Sequence, residues 1–320
     1  MRRNERGVAL LTVLLVTALA SVIIVQVLSR HHLSVAHTRQ ALHGQQALAY
    51  ALGGEAWAQH LLFRDRVEDN ANPPTDSLAD RWAEPGAPFE IDGGSMEIRV
   101  RDLEGLFNLN AIDGDPAALE RFRRLLLALE LDPALADVLR DWIDEDEEVQ
   151  GAGAEDGFYL AEEPAYRTAN APVASVTELR LLANMEAAAF DRLAPFVTAL
   201  PPEAGVVNIN TAPPAVLATL APGMDPIQAG RYARPDVAWQ LPGDLIGQEA
   251  GFAPEAAIMT VQSRLFEVNV RVADASQSLV LRSVIHRDPE TGYTRVVSRD
   301  LGGRLARQVQ DDLVDQWPLQ

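Results

Sequence analysis

From Val8 to Leu28 the chain runs twenty-one residues without a charged side chain, only Thr12, Thr17, Ser21 and Gln26 being polar. As a helix, such a stretch is long enough to cross a hydrocarbon core of about 30 Å. Arg2, Arg3 and Arg6 precede it, so the positive-inside bias keeps residues 1–7 in the cytoplasm and sends everything after Ser29 outward. A secretory signal would place its cleavage site after the apolar run, whereas here the plausible cut, between Gly7 and Val8, lies before it. The apolar segment is therefore expected to stay on the mature protein as the transmembrane half of an N-terminal helix, residues 8–28.

No proline interrupts Met1 to Asn72, so the helix can continue beyond the membrane, with Ala41, Leu48, Leu52 and Ala56 near one face. Extended from Val8 to about Arg66 it is roughly 85 Å long. Gly44 and the Gly53-Gly54 pair weaken it by about 1 kcal/mol each, so packing must support the outer half.

Arg6-Gly7-Val8-Ala9-Leu10-Leu11-Thr12 resembles the leader junction of type IV pilins and pseudopilins. The resemblance implies a prepilin peptidase that cuts between Gly7 and Val8, N-methylation of Val8, and an apolar helix that packs in a filament. One position departs from the pattern: the fifth mature residue is Thr12, where the family usually carries Glu. The family's carboxylate is taken to pair with a neighbouring subunit's N-terminal amine, since an unpaired charge in a membrane-like core is expensive. A subunit with Thr12 offers no such partner to one above it and suits the top of a filament.

The chain is strongly acidic, with net charge −19 over 320 residues; removing the leader, whose Arg2, Arg3 and Arg6 outweigh Glu5 by two, leaves −21. Such a balance disfavours nucleic acid and anionic surfaces and favours cations. All 27 basic residues are arginine, which removes P-loop and Schiff-base lysine chemistry. Cysteine is absent, so there is no disulfide, thiolate nucleophile or Cys-ligated zinc.

Residues 70–88 read as a loop leaving the long helix. Met96, Ile98 and Val100 then alternate with charged residues as a half-buried strand, and Phe266, Val268, Val270 and Val272 form its distant counterpart. Leu279 to Ile285 and Thr294 to Ser298 add two more strands around an Asp288-to-Gly292 turn. Between Leu103 and Ser263 the pattern is helical: Leu119, Phe122, Leu126 and Leu129; then Leu135, Val138 and Trp142; then a helix opened by Ser175 and Glu178 and continued by Leu179, Leu182 and Phe190. The expected fold class is α+β: a pilin-like fold, with a long N-terminal helix on an antiparallel sheet, and a large inserted all-α domain. The sheet is divided between residues 29–102 and 263–320, and the insertion, residues 103–262, is of ordinary domain size.

Four strings carry a closer resemblance: Asp102 to Asn110 (DLEGLFNLN), Asp141-Trp142-Ile143-Asp144, Ala154-Glu155-Asp156 with Tyr159, and Val206 to Ala212 (VVNINTA). With Thr12, they resemble the K-type minor pseudopilin family of the type II secretion system. Membership implies a structural, initiating subunit at the tip of the pseudopilus. It further implies I-type and J-type minor pseudopilins and other pseudopilins as partners, a single inner-membrane pass, and most of the chain in the periplasm.

Eight of the sixteen residues from Asp141 to Asp156 are acidic and none is basic, a cluster that repels itself unless neutralised. Asp144, Asp146 and Glu148 stand at positions 1, 3 and 5 of a loop whose twelfth residue is Glu155, the EF-hand spacing, although Val149 occupies the turn-glycine position. Hard oxygens two apart, with Gly151-Ala152-Gly153 folding the chain back to Glu155 and Asp156, suit Ca²⁺ better than zinc. The K-type resemblance also implies calcium in the helical domain. Asp144, Asp146, Glu148, Glu155 and Asp156 are the expected ligands, and the ion's role is structural. A solvated acidic loop is the plain alternative.

Val207 to Pro213 followed by Leu220 to Met224 also resembles helix-hairpin-helix modules that grip DNA phosphates. A membrane-anchored DNA receptor of the competence type is therefore the alternative function. Charge opposes it: Asp225 follows the hairpin, and Arg231 and Arg234 are the nearest cations. No enzyme is expected, because five of six histidines lie between His31 and His60, and neither a zinc-protease helix, a nucleophile elbow nor a dinucleotide loop is present.

Overall fold

The computed structural model describes residues 5–69, 73–84, 86–235, 238–274 and 278–301. The leader residues Met1 to Asn4 lie outside that set, and Gly7 and Val8 are described only as helical backbone. The first helix, α1 (Glu5–Glu68), is continuous over 64 residues, about 96 Å at 1.5 Å per residue. In its apolar part Thr17 Oγ1 donates to the Val13 carbonyl at 3.0 Å and Ser21 Oγ to that of Thr17 at 2.8 Å. These bonds occupy hydroxyl donors that lipid cannot satisfy.

In chain order there follow β1 (Phe89–Ile91), β2 (Gly94–Asp102), β3 (Phe107–Asn108), α2 (Pro116–Ala128), α3 (Leu135–Ile143), α4 (Asp156–Tyr159), α5 (Ala187–Leu193), β4 (Val197–Thr198), β5 (Val207–Asn208), α6 (Pro214–Thr219), α7 (Pro226–Ala229), α8 (Pro242–Gln248), β6 (Met259–Thr260), β7 (Leu265–Asp274), β8 (Ser278–Arg287) and β9 (Thr294–Asp300). The main sheet has the order β1-β2-β7-β8-β9, antiparallel throughout. Asp102 at the end of β2 faces Phe266 near the start of β7. The chain therefore leaves and re-enters the sheet at one end, and the helical segment hangs from that point.

The outer half of α1 packs on this sheet through Ala47, Ala51, Ala58 and Leu62, against Phe266, Val268, Val270, Leu281 and Ile285. The face expected from sequence, Ala41, Leu48, Leu52 and Ala56, is not the contact face: Ala41, Leu52 and Ala56 are exposed. Closeness decides the difference. A Cβ on Gly54 would fall 2.7 Å from Val270 Cγ1, so around Gly54 the helix lies near enough to the sheet that small residues face it. Glu55 is buried on the same side, where Arg299 donates to both its oxygens at 2.7 Å and Ser283 Oγ to one. Burial opposes its charge, but these donors hold its pKa below the ordinary value.

The insertion has its own core, centred on Phe122, Leu125, Leu139, Tyr159, Leu193, Ile209, Leu217, Leu245 and Phe252. It is not purely helical, since β3 pairs with β4 and β5 with β6, each pair parallel. The helix expected from Ser175 through Phe190 is divided: the Ser175/Glu178 capping box is present, but it opens a 3-10 turn over Val176–Leu181, and α5 starts separately. Asn184, at φ 60°, reverses the backbone between them, a conformation asparagine tolerates better than most residues.

The two ladders mark two similarly framed halves. In the first, the Asn108 side chain accepts from Asn110 N, and Asn110 clasps Val173, accepting its N–H at 2.7 Å and donating to its carbonyl at 2.9 Å. In the second, Asn208 accepts from Asn210 N, and Asn210 clasps Trp239 in the same way at 2.7 and 3.1 Å. Five residues after each clasp an acid caps the next turn, Glu178 accepting from Ser175 N and Asp244 from Leu241 N. A buried leucine follows each, Leu179 and Leu245.

A buried polar junction joins the insertion to the sheet and α1. Asp102 Oδ2 accepts from Thr211 Oγ1, Ser263 Oγ and Asn208 Nδ2. Asp76 accepts from Ser263 N at 2.8 Å and from Arg287, which also reaches Asp65 at 3.2 Å. Burial, followed by neighbouring carboxylates, pushes Asp65 up to about 7; burial likewise drives Asp102 to about 7, against its hydroxyl donors. Because Asp65 closes α1, the insertion sits at the end of the long helix farthest from its apolar stretch, about 55 Å beyond Leu28.

Candidate metal centre

The acidic loop begins where α3 ends. Its amphipathic pattern buries Leu135, Val138, Leu139, Trp142 and Ile143 and carries Asp141 to complete burial on the same face. Asp141 Oδ2 accepts from Gln150 N at 3.0 Å, and Arg140 lies 3.3 Å from its other oxygen. Asp137 accepts from Ala152 N at 3.2 Å. These carboxylates explain the glycines: a Cβ on Gly153 would stand 1.9 Å from Asp141 Oδ2, and one on Gly151, at φ 65°, 2.5 Å from Asp137 Oδ2. The loop is thus drawn back over the end of α3, which delivers Glu155 to the start of α4.

Three of the five expected ligands come together. One carboxylate oxygen from each of Asp144, Asp146 and Glu155 lies within 4.8 Å of the others. Glu155 is only 4% exposed, yet among the described residues neither of its oxygens has a hydrogen-bond partner, nor does Asp144 Oδ1. Buried acceptors without donors are costly, and like charges add to the cost. Burial, then the charges of Asp141 and Asp144, raise Glu155 to about 7; burial, then Asp146 and Asp141, raise Asp144 to about 6.

The other two stand apart. Glu148 is exposed, contributing only its backbone N–H to Asp146 at 2.8 Å. Asp156 is engaged by Arg167 at 2.8 Å and by the Thr168 N–H and hydroxyl at 3.0 Å. The cluster is also less bare of cations than its sequence window, because Arg140 and Arg167 fold onto its flanks. Sequence reasoning missed Asn170, whose N–H donates to the Trp142 carbonyl at 3.0 Å, whose Nδ2 donates to that of Asp146 at 3.3 Å, and whose Oδ1 is buried without a partner. Lone in a polar stretch, it carries no spacing signal.

An aromatic wall backs the site: Trp142, Tyr159 and Tyr166 have ring centroids 5.2 to 6.4 Å apart. Burial raises Tyr159 to about 12, so its hydroxyl stays protonated. The donor set is therefore all carboxylate oxygen, three of those oxygens on Asp144 and Glu155 lacking donors, which fits a hard divalent cation such as Ca²⁺.

The hairpin in the second half turns at Gly223, φ 84°. Asp225 caps α7 by accepting from Gln228 N at 2.8 Å, and α6 is buried from Ala215 to Thr219. The hairpin tip is exposed, but a helix start already occupied by a carboxylate offers little to DNA phosphate.

Comparison with known proteins follows the same lines. A family model described as type II secretion system (T2SS), protein K, matches residues 105–202. A type II secretion system protein K from Pseudomonas aeruginosa is 39% identical over 94% of this chain and 94% of its own length. One from Klebsiella pneumoniae is 35% identical over 91% and 95%. Among solved structures, the GspK-GspI-GspJ complex from the enterotoxigenic Escherichia coli type 2 secretion system contains a chain that superposes with TM-score 0.73 at 26% identity, covering 83% of this chain and 99% of that one.

Proposed function

This chain belongs to the type II secretion system protein K family, and from that membership we propose that it caps the pseudopilus as a structural, non-catalytic tip subunit. It is a minor pseudopilin. The observation that carries the tip placement is the position of the insertion, at the far end of a helix whose apolar stretch is exposed within the chain from Leu10 to Leu28. That stretch needs a membrane or neighbouring helices around it, while the bulk above it blocks a further subunit. Val8 to Leu28 would span the inner membrane with the folded body in the periplasm. I-type and J-type minor pseudopilins are the proposed neighbours, in the manner of the complex that the related structure represents. Exposed Thr12 would leave the uppermost register without a carboxylate.

Ca²⁺ is the proposed resident ion, held by Asp144, Asp146 and Glu155; it would supply the positive charge that this chain's own residues withhold there. Asp141 and Asp137 shape the loop, and the aromatic wall limits water on one side.

The test is co-expression with a prepilin peptidase and the two partner pseudopilins, followed by intact mass and immunolabelling. Loss of residues 1–7 with one added methyl group, and label at filament ends only, are expected. An intact leader, or label along the whole shaft, would overturn the reading.

A further inference from the structure

Between Glu5 and Glu55 the chain has no acidic residue, while Arg30, His31, His32, His37 and Arg39 follow directly on the apolar stretch. Since the leader and residues 8–54 each contribute +2 to the total of −19, the chain from Glu55 onward carries −23. A basic collar thus separates a neutral span from a strongly acidic body. All five side chains are exposed on α1.

The arrangement around the helix identifies the partner. At about 100° per residue, Arg30 and His37 lie within about 20° of each other on one side, His32 and Arg39 share the opposite side, and His31 lies between. A single protein partner packs on one face of a helix, whereas lipid headgroups surround it before any neighbouring subunit is assembled. Along the axis the collar begins about 3 Å past Leu28 and ends about 17 Å past it. Headgroups occupy only about 5–8 Å at each surface, but helical side chains lean toward the N-terminus, so the long Arg39 side chain reaches back toward them. Guanidinium groups and imidazole N–H groups are donors suited to phosphate oxygens. The whole-chain acidity that disfavours anionic surfaces resides beyond the collar, so it leaves a local attraction at the helix base possible.

We infer that the collar of Arg30, His31, His32, His37 and Arg39 binds the phosphate groups of anionic phospholipids at the outer surface of the membrane that Val8 to Leu28 crosses. This rests on the membrane placement proposed above. The collar holds the subunit upright before assembly and shields the headgroups from the acidic body.

The full chain is reconstituted into phosphatidylcholine bilayers containing a trace of spin-labelled phosphatidylglycerol or spin-labelled phosphatidylcholine, and insertion is checked by resistance to carbonate extraction. Phosphatidylglycerol should be enriched in the motionally restricted shell by about fivefold for each arginine engaged, less at high salt. In the combined variant R30Q/R39Q/H31Q/H32Q/H37Q the preference should vanish with insertion unchanged. Failure to insert would overturn the placement and the collar together. Successful insertion with equal association of the two lipids, or with a preference the variant retains, would overturn the collar alone. Loss of a co-expressed partner subunit in the variant, without any lipid preference in the wild type, would assign the collar to a protein interface instead.

Discussion

The two halves of the insertion are built on one frame but differ in what lies inside the clasp, 63 positions from Asn110 to Val173 against 29 from Asn210 to Trp239. Each starts from an asparagine pair on a short strand, clasps a downstream backbone with the second asparagine, caps a turn with an acid, and closes with a parallel two-residue ladder. Asn110 and Asn210 are satisfied on both ends of their amides. The halves part at their connections. The first joins α3 to α4 through carboxylates, among which Asp144 and Glu155 keep orphaned oxygens. The second joins α6 to α7 through a turn whose Asp225 is capped. A frame whose polar groups are paired stands without help; a loop whose buried oxygens lack donors requires something external. Dependence on an ion should therefore be confined to one half.

Calcium removal is the sharpest way to break that comparison and should produce the largest effect. At an ion concentration about a hundred times the dissociation constant, binding stabilises by about 2.7 kcal/mol, which chelation removes. Hydrogen exchange should rise across residues 137–170 and stay flat across 207–260. Equal acceleration in both halves, or none in either, would contradict the assignment.

The shared frame predicts parity where the loop predicts asymmetry. Asn110→Ala and Asn210→Ala each strand a buried N–H and a carbonyl, at Val173 and at Trp239, and Asn110→Ala also removes the donor to the Leu200 carbonyl; each should cost about 2 kcal/mol in urea denaturation with calcium present. A gap between them larger than either effect would show that the likeness is only geometric.

Much of this was legible in the sequence, for identifiable reasons. The strands of Met96 to Val100 and Phe266 to Val272 alternate because one sheet face meets α1 and the other does not, and a period of two survives in any register. The acidic loop announced itself by charge density, and Asp144, Asp146 and Glu155 do converge. The contact face of α1 was not legible: hydropathy favours Leu52, whereas the sheet's proximity selects Ala51, Gly54 and Ala58, a tertiary choice that propensity does not encode. Asp156 stands apart from the three because Arg167 and Thr168, which engage it, lie eleven and twelve residues away across a fold that spacing cannot foresee.

Turn glycines give a smaller and more local contrast. Gly223→Ala must hold φ near 84°, which should cost about 1 kcal/mol and leave calcium affinity unchanged. Gly153→Ala drives a methyl group into the Asp141 carboxylate and should weaken calcium binding, read by calorimetry. Equal calcium affinity in the two variants would separate the loop's shape from its ion.

The last contrast concerns how each half is attached. Asn108 donates to the carbonyls of Pro201 and Ala204, groups that do not titrate, whereas Asn208 donates to Asp102, which burial raises to about 7. An unfolded aspartate titrates near 3.9, so between about pH 4 and pH 7 the native state holds the extra proton, and stability falls as pH rises through that window before levelling off. Asp65, also at about 7, slopes the same way, and the proposed calcium ligands add their own dependence. The informative quantity is therefore the difference between wild type and Asp102→Asn, measured as urea midpoints from pH 5 to pH 8 at fixed calcium. That difference should grow in favour of the variant toward pH 8. The corresponding difference for Asn108→Ala should stay level, because every partner it loses is backbone; a sloping Asn108 curve, or a level Asp102 curve, would remove the distinction between a titratable and a permanent attachment.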